Sequence, residues 1–197
     1  YGILDNNVLR KISTSGVVTV VGGNNSRSDG LASDGTTLFN FSFSQKRLQT
    51  VNPATGARTD LSSSGPITNE IGGRMAFKGG TLYGTLPVSG GSGSGLYSFN
   101  TTTGAPTFIG NGGAAASYDL MLASYSNAGT LYGLVLNSLY SINTSNGNLT
   151  HVGNLTGANL PSFFLGAGQV PVPEPSSIAL MGVSAVGMIG FACRRPK

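Results

Sequence analysis

The sequence predicts an all-β domain made of repeated four-stranded sheets, and three observations predict it. Charge is scarce, at 9% of 197 residues, while glycine is abundant at 31 residues; soluble domains usually carry roughly 25% charge. Short apolar segments alternate with turns rich in Gly, Ser, Thr and Asn, as many-stranded proteins require. One composite pattern also returns at intervals of about 38 to 49 residues, the length of a four-stranded unit. An apolar fraction of 39% with so little charge argues against disorder.

The elements of that pattern come in a fixed order. Each unit opens on an aromatic strand: Tyr1-Gly2, Leu38-Phe39, Leu82-Tyr83-Gly84 and Leu131-Tyr132-Gly133. A second strand follows, running Leu9 to Ser13, Leu48 to Asn52, Leu96 to Asn100 and Leu139 to Asn143. An X-Gly turn comes next, at Gly16, Gly56, Gly104 and Gly147, where glycine supplies the positive φ of a primed hairpin turn. A short strand ends each unit: Val17 to Val21, Arg58 to Leu61, Thr107 to Ile109 and Leu149 to Val152. The remaining strand precedes the aromatic one, at Met75-Ala76-Phe77, Leu120-Met121-Leu122 and, more faintly, Gly30-Leu31-Ala32.

One such unit per repeat is one blade of a β-propeller, so residues 1–168 are expected to form about four visible blades. Sheets stacked on both sides need apolar or small residues on both faces, as Leu139-Tyr140-Ser141-Ile142 provides. Glycine after the aromatic residue would permit close approach between blades. A β-solenoid or β-sandwich adhesin is the architectural alternative, disfavoured because solenoid rungs are usually shorter than these repeats. The chain opens on a second strand and ends its repeats on Pro161 to Gly166, a first-strand-like segment. Either that segment completes the blade begun at Tyr1, or the chain belongs to a larger propeller with blades upstream. The absence of an initial Met and of an export signal favours the larger propeller.

Chemistry is sparse. His151 is the only histidine, expected on the solvent face of an outer strand, and no Cys or His pair has metal-ligand spacing. Asp5, Asp29, Asp34, Asp60, Glu70 and Asp119 show no spacing that pairs them for glycoside hydrolysis. Asp29-Gly30 and Asp34-Gly35 read as turn chemistry; calcium at Asp29 and Asp34 would lack the EF-hand spacing. The repeated Tyr and Phe read as blade core rather than sugar-stacking platforms. A ligand site, if present, belongs at the axial mouth near Arg74 and Asp119. The net charge of +4 does not form the basic stripe that nucleic acid requires, because Arg194, Arg195 and Lys197 cluster at the end and the other cations are scattered. No cofactor is expected. Cys193 is the only cysteine, so an intrachain disulfide is excluded, and it reads as a small apolar residue of a membrane segment.

The last residues differ in kind. Residues 169–175 form a linker ending in Val172-Pro173-Glu174-Pro175, held extended by its prolines. Ser176 and Ser177 suit a helix start, and Ile178 to Cys193 carries no charge. As a helix, Ser176 to Cys193 would reach roughly 27 Å, close to a hydrocarbon core of about 30 Å. Arg194, Arg195 and Lys197 would hold its end in the cytoplasm. Residues 176–197 thus read as a transmembrane helix with a basic tail.

This order of motif, apolar helix and basic end resembles the PEP-CTERM sorting domain of Gram-negative bacteria. The resemblance implies recognition of Pro173-Glu174-Pro175 by an exosortase, transient anchoring in the inner membrane, and release to the cell surface or extracellular polysaccharide matrix. The expected function is that of an exported, noncatalytic protein whose propeller binds polysaccharide or protein. The alternative is a secreted propeller glycosidase or lyase acting on matrix polysaccharide.

Overall fold

The computed structural model describes residues 2–3, 8–23, 28–42, 45–61, 74–88, 94–111, 121–124, 129–135 and 137–155. These residues form four antiparallel sheets, each with its strands in chain order. The first holds β1 (Gly2–Ile3), β2 (Val8–Ile12) and β3 (Val18–Gly23). The second holds β4 (Ser28–Ser33), β5 (Leu38–Ser42), β6 (Arg47–Val51) and β7 (Arg58–Asp60). The third holds β8 (Arg74–Lys78), β9 (Thr81–Pro87), β10 (Ser94–Phe99) and β11 (Pro106–Gly110). The fourth holds β12 (Met121–Ser124), β13 (Leu131–Val135), β14 (Ser138–Ile142) and β15 (Leu149–Asn154). The repeat therefore maps onto strands as expected, including the faint one at Gly30-Leu31-Ala32, which lies in β4. Pro161 to Gly166 and the whole tail from residue 156 lie outside the described residues, as does the expected transmembrane helix.

The leading strands β4, β8 and β12 run side by side, so the sheets fan out from them and β7, β11 and β15 lie at the outer edges. Between neighbouring sheets sit three apolar clusters. Leu9, Leu38 and Val51 join the first sheet to the second. Phe39, Phe41, Leu48, Leu82 and Phe99 join the second to the third, with Phe39 tilted on Phe77 at 5.5 Å and Phe41 edge-on to Phe99 at 6.3 Å. Ala76, Leu96, Leu131 and Ile142 join the third to the fourth. Because alternate residues of a strand face opposite ways, a strand between two such clusters has no wet face. Accordingly, β5 is buried at every position.

The turns differ from the primed hairpins expected. From Asn52 to Ala57 the chain makes a four-residue loop, in which the Gly56 amide donates to the Asn52 carbonyl at 2.8 Å. Gly104 and Gly147 repeat that bond to Asn100 and Asn143. The asparagine side chain shapes the loop: Asn52 Oδ1 accepts from the Ala54 and Thr55 amides, and Asn100 Oδ1 from those of Thr102 and Thr103. Glycine ends the loop because φ there is positive, +72° at Gly56.

Asp29 is not in a turn. It belongs to β4, where the register slips between Ser28 and Gly30 and leaves it the extra residue of a bulge. Asp34 does act in a turn, its Oδ1 accepting from Thr36 and Thr37 at 2.8 and 2.6 Å.

Candidate functional site

Register places four structurally equivalent rows across the sheets. In the third sheet Gly84 faces Tyr97, which faces Phe108. In the fourth, Gly133, Tyr140 and His151 are aligned in the same way. In the first the row is Gly2, Arg10 and Val20, and in the second it is Asn40, Gln49 and Asp60.

Two of these rows are aromatic. Tyr97 meets Phe108 edge-on at 5.2 Å, and Tyr140 meets His151 at 5.4 Å, both favourable geometries for rings. Burial raises the Tyr97 phenol above its usual pKa. A Cβ on Gly84 would lie 2.6 Å from the ring of Phe99 and 3.3 Å from Met75. That glycine therefore makes room for side chains of its own sheet; it is not the point where neighbouring sheets touch, contrary to the expectation from sequence.

The row in the second sheet is polar and buried. Asn40 is 0% exposed and Gln49 2%. Asn40 Nδ2 donates to Gln49 Oε1 at 2.9 Å. Gln49 Nε2 donates to Gln45 Oε1 at 2.5 Å and to Asp60 Oδ1 at 2.7 Å. The other Asp60 oxygen meets Arg47 at 3.5 Å. Both amide hydrogens and the carbonyl of Gln49 are thus engaged, as a buried amide requires. Sequence reasoning missed this network. The signal was present as a departure from the repeat: Asn40 stands where the other three units have glycine, and Gln49 where two of them have tyrosine.

The sheets approach most closely through their backbones at outer strand ends. A Cβ on Gly56 would lie 2.5 Å from the Gly22 carbonyl, and one on Gly147 would lie 2.9 Å from the Gly110 carbonyl. Gly104 makes the same approach to the Leu61 carbonyl. Each turn glycine thus seats against the outer strand of the preceding sheet. In the first, third and fourth sheets that strand carries a bulge, between Leu9 and Arg10, Leu96 and Tyr97, and Leu139 and Tyr140.

The residues singled out for chemistry are scattered. His151 lies on the outer strand β15 and is exposed, as expected, with Nε2 at 3.0 Å from Asn154 Oδ1. Arg74 opens the leading strand β8, half-buried and engaged by a partner; Asp119 lies outside the described residues, as do Asp5 and Glu70. Asp34 belongs to its own turn and Asp60 to the amide network. Among the described residues no three His, Cys, Asp or Glu side chains gather where a metal could sit, and no helix is long and apolar enough to cross a membrane. Val172, Pro173, Glu174, Pro175, Arg194, Arg195 and Lys197 lie outside the described residues.

The architecture is that of a β-propeller-type protein. It is similar to TolB from Acinetobacter baumannii, with a TM-score of 0.50 and 15% identity over 73% of this chain and 37% of TolB. Virginiamycin B lyase from Staphylococcus aureus is similar at a TM-score of 0.46, with 11% identity over 85% of this chain and 50% of the lyase. The chain thus spans 37% of the TolB chain and half of the lyase chain. No curated protein matches it. Residues 171–195 match the PEP-CTERM protein-sorting motif. This chain therefore carries an exosortase sorting signal after propeller-like repeats. The signal supports sorting to the cell surface, with a C-terminal membrane anchor before processing.

Proposed function

We propose that this protein is a noncatalytic interaction module of the cell surface or extracellular matrix, delivered there by exosortase cleavage near Pro173-Glu174-Pro175. The observation that carries the reading is the sorting motif over residues 171–195. Its parts divide the work. Pro173-Glu174-Pro175 is the element the exosortase recognises. The apolar stretch to Cys193 holds the substrate in the membrane, and Arg194, Arg195 and Lys197 stop transfer on the cytoplasmic side. The propeller repeats occupy residues 1–168, with polysaccharide or another surface protein as partner. Two of the acidic side chains support a noncatalytic role: Asp34 and Asp60 are tied into separate structural networks.

The test is mass spectrometry of the C-terminal peptide from the native host's surface fraction. An end within or next to residues 172–175, with Arg194-Arg195 gone, is expected. An intact Lys197 in surface-associated protein would reduce the tail to a lasting anchor. Turnover of a matrix polysaccharide, lost in Asp-to-Asn variants, would replace the noncatalytic reading with an enzymatic one.

A further inference from the structure

The loop before the outer strand is built alike in the second, third and fourth sheets. In the second, Thr55 Oγ1 accepts from the Ala57 amide at 3.3 Å, and in the third, Thr103 Oγ1 accepts from the Ala105 amide at 3.4 Å. In the fourth, Asn146 stands at that position, and its Oδ1 accepts from the Asn148 amide at 3.0 Å. The bond is the same, but the acceptor's chemistry is not. A threonine hydroxyl is inert towards the peptide that follows it, whereas an asparagine amide is an electrophile and thermally labile. The next residue is Gly147, which has no side chain to hinder attack.

Cyclisation of such a pair needs two things. The Gly147 nitrogen must give up its proton, and it must reach Asn146 Cγ. It then bonds to Cγ, the Cγ–Nδ2 bond breaks and ammonia leaves, closing a succinimide ring. Water opens that ring at either carbonyl. The product is aspartate or an isoaspartyl residue, whose main chain runs through Cγ and is one methylene longer.

The folded loop opposes both requirements. Gly147 is buried, and its amide donates to the Asn143 carbonyl at 2.8 Å, which holds the proton in place. Asn143 Oδ1 accepts from the Ser145 amide at 2.8 Å, and the Asn148 amide holds the Asn146 side chain by its oxygen. The third sheet clamps the loop from the other side. A Cβ on Gly147 would lie 2.9 Å from the Gly110 carbonyl oxygen, and one on Gly110 would run into the Asn146 carbonyl. Lys78 Nζ also donates across the junction to Thr144 Oγ1 at 3.3 Å. The labile pair is therefore the point where the third and fourth sheets meet through their backbones, and an added methylene and carboxylate have no room there.

We propose that Asn146-Gly147 is a conformation-gated modification site. While the fourth sheet is seated on the third, the pair does not cyclise. When the loop opens, it converts to an isoaspartyl linkage and the junction fails to reseat. The fold thereby keeps a one-way record of its own opening, with water as the only reagent. The proposal does not rest on the sorting signal or on any partner.

The test ages the full chain in detergent at mildly alkaline pH, native and in urea. Chymotryptic peptide mapping follows residues 141–149, with electron-transfer fragmentation to identify isoaspartate. Native protein should convert at Asn146 at least about tenfold more slowly than unfolded protein, a factor set by how seldom the loop opens. Asn143→Ala removes the bond to Ser145 and should speed native conversion while β circular dichroism stays unchanged. Chain aged while unfolded and then refolded should show a lower urea midpoint. Asn146→Thr, which copies the second and third sheets, should keep its midpoint through the same treatment; it retains Asn111-Gly112, so ageing there is common to both proteins. Equal conversion rates in native and unfolded protein would overturn the gate. An isoaspartyl chain that refolds with the midpoint of unaged protein would overturn the block on reseating.

Discussion

The second sheet meets its two neighbours through the same backbone pattern but by different chemistry. Towards the third sheet it presents Phe39, Phe41 and Leu48, and the opposing row places Tyr97 beside a glycine. Towards the first sheet, its row is Asn40, Gln49 and Asp60. In the aromatic row, the lack of a side chain at Gly84 leaves the space that the neighbouring Phe99 ring fills. In the polar row every position has a side chain, and the amides satisfy one another. In the second, third and fourth sheets this fold position holds either a ring over a glycine or a closed hydrogen-bond chain, while the first sheet has Gly2, Arg10 and Val20 there. Half of either filling is costly, because an unpaired buried amide and an unfilled cavity both destabilise.

That comparison can be broken at several points. The largest effect is expected from Gly110→Val, because its obstacle is the Asn146 main chain and backbone cannot move aside as a side chain can. The loss of stability in urea should exceed the about 1–3 kcal/mol typical of overpacked cores. Phe99→Ala should cost about 3–5 kcal/mol by emptying the ring-filled side of the second sheet. Gln49→Leu should cost about 1–3 kcal/mol, since it removes the amide that bonds Asn40 Nδ2 and Asp60 Oδ1. The triple change Asn40→Gly, Gln49→Tyr and Asp60→Phe should recover most of that loss; if it is no better than Gln49→Leu, the two fillings are not interchangeable.

A pH effect separates the rows further. The Tyr97 phenol has a raised pKa in the folded state because burial disfavours its anion. Its contribution is complete below the unfolded value of about 10 and is lost as pH rises through the higher folded value. A urea series above that pH should therefore show wild-type protein weakening more than Tyr97→Phe. Arg47→Ala should have the smallest effect, about 0–1 kcal/mol, because its partner Asp60 is also solvent-accessible.

Much of the fold was legible because it repeats. The units beginning at Leu38, Leu82 and Leu131 predict the aromatic strands β5, β9 and β13, and the Leu-x-x-apolar strand after each predicts β6, β10 and β14. Even the faint β4 could be located from its position before Leu38. Bulges were not legible, since an extra residue such as Ile109 looks like any other apolar strand residue. Nor was the role of strand-end glycines such as Gly22 and Gly110, because a close approach depends on what lies across from them. The amide network was hidden for a related reason. Asn40 and Gln49 are polar residues in a low-charge sequence rich in Asn and Thr, and only the register shows that they face each other. For the tail the position is reversed: its signal was plain in the order of residues 172–197.

The outermost position of β15 has a mechanical consequence. β15 is the last described strand and ends at Asn154, ahead of the sorting motif at residues 171–195. Tension that reaches Leu155 along the chain enters the sheet through Asn154 and meets the β14–β15 ladder before Leu131 or Ile142. The outer strand takes the load first and can detach while the three inner strands keep their packing, so a tug on the tether is spent at the rim of one sheet and not at the heart of the array.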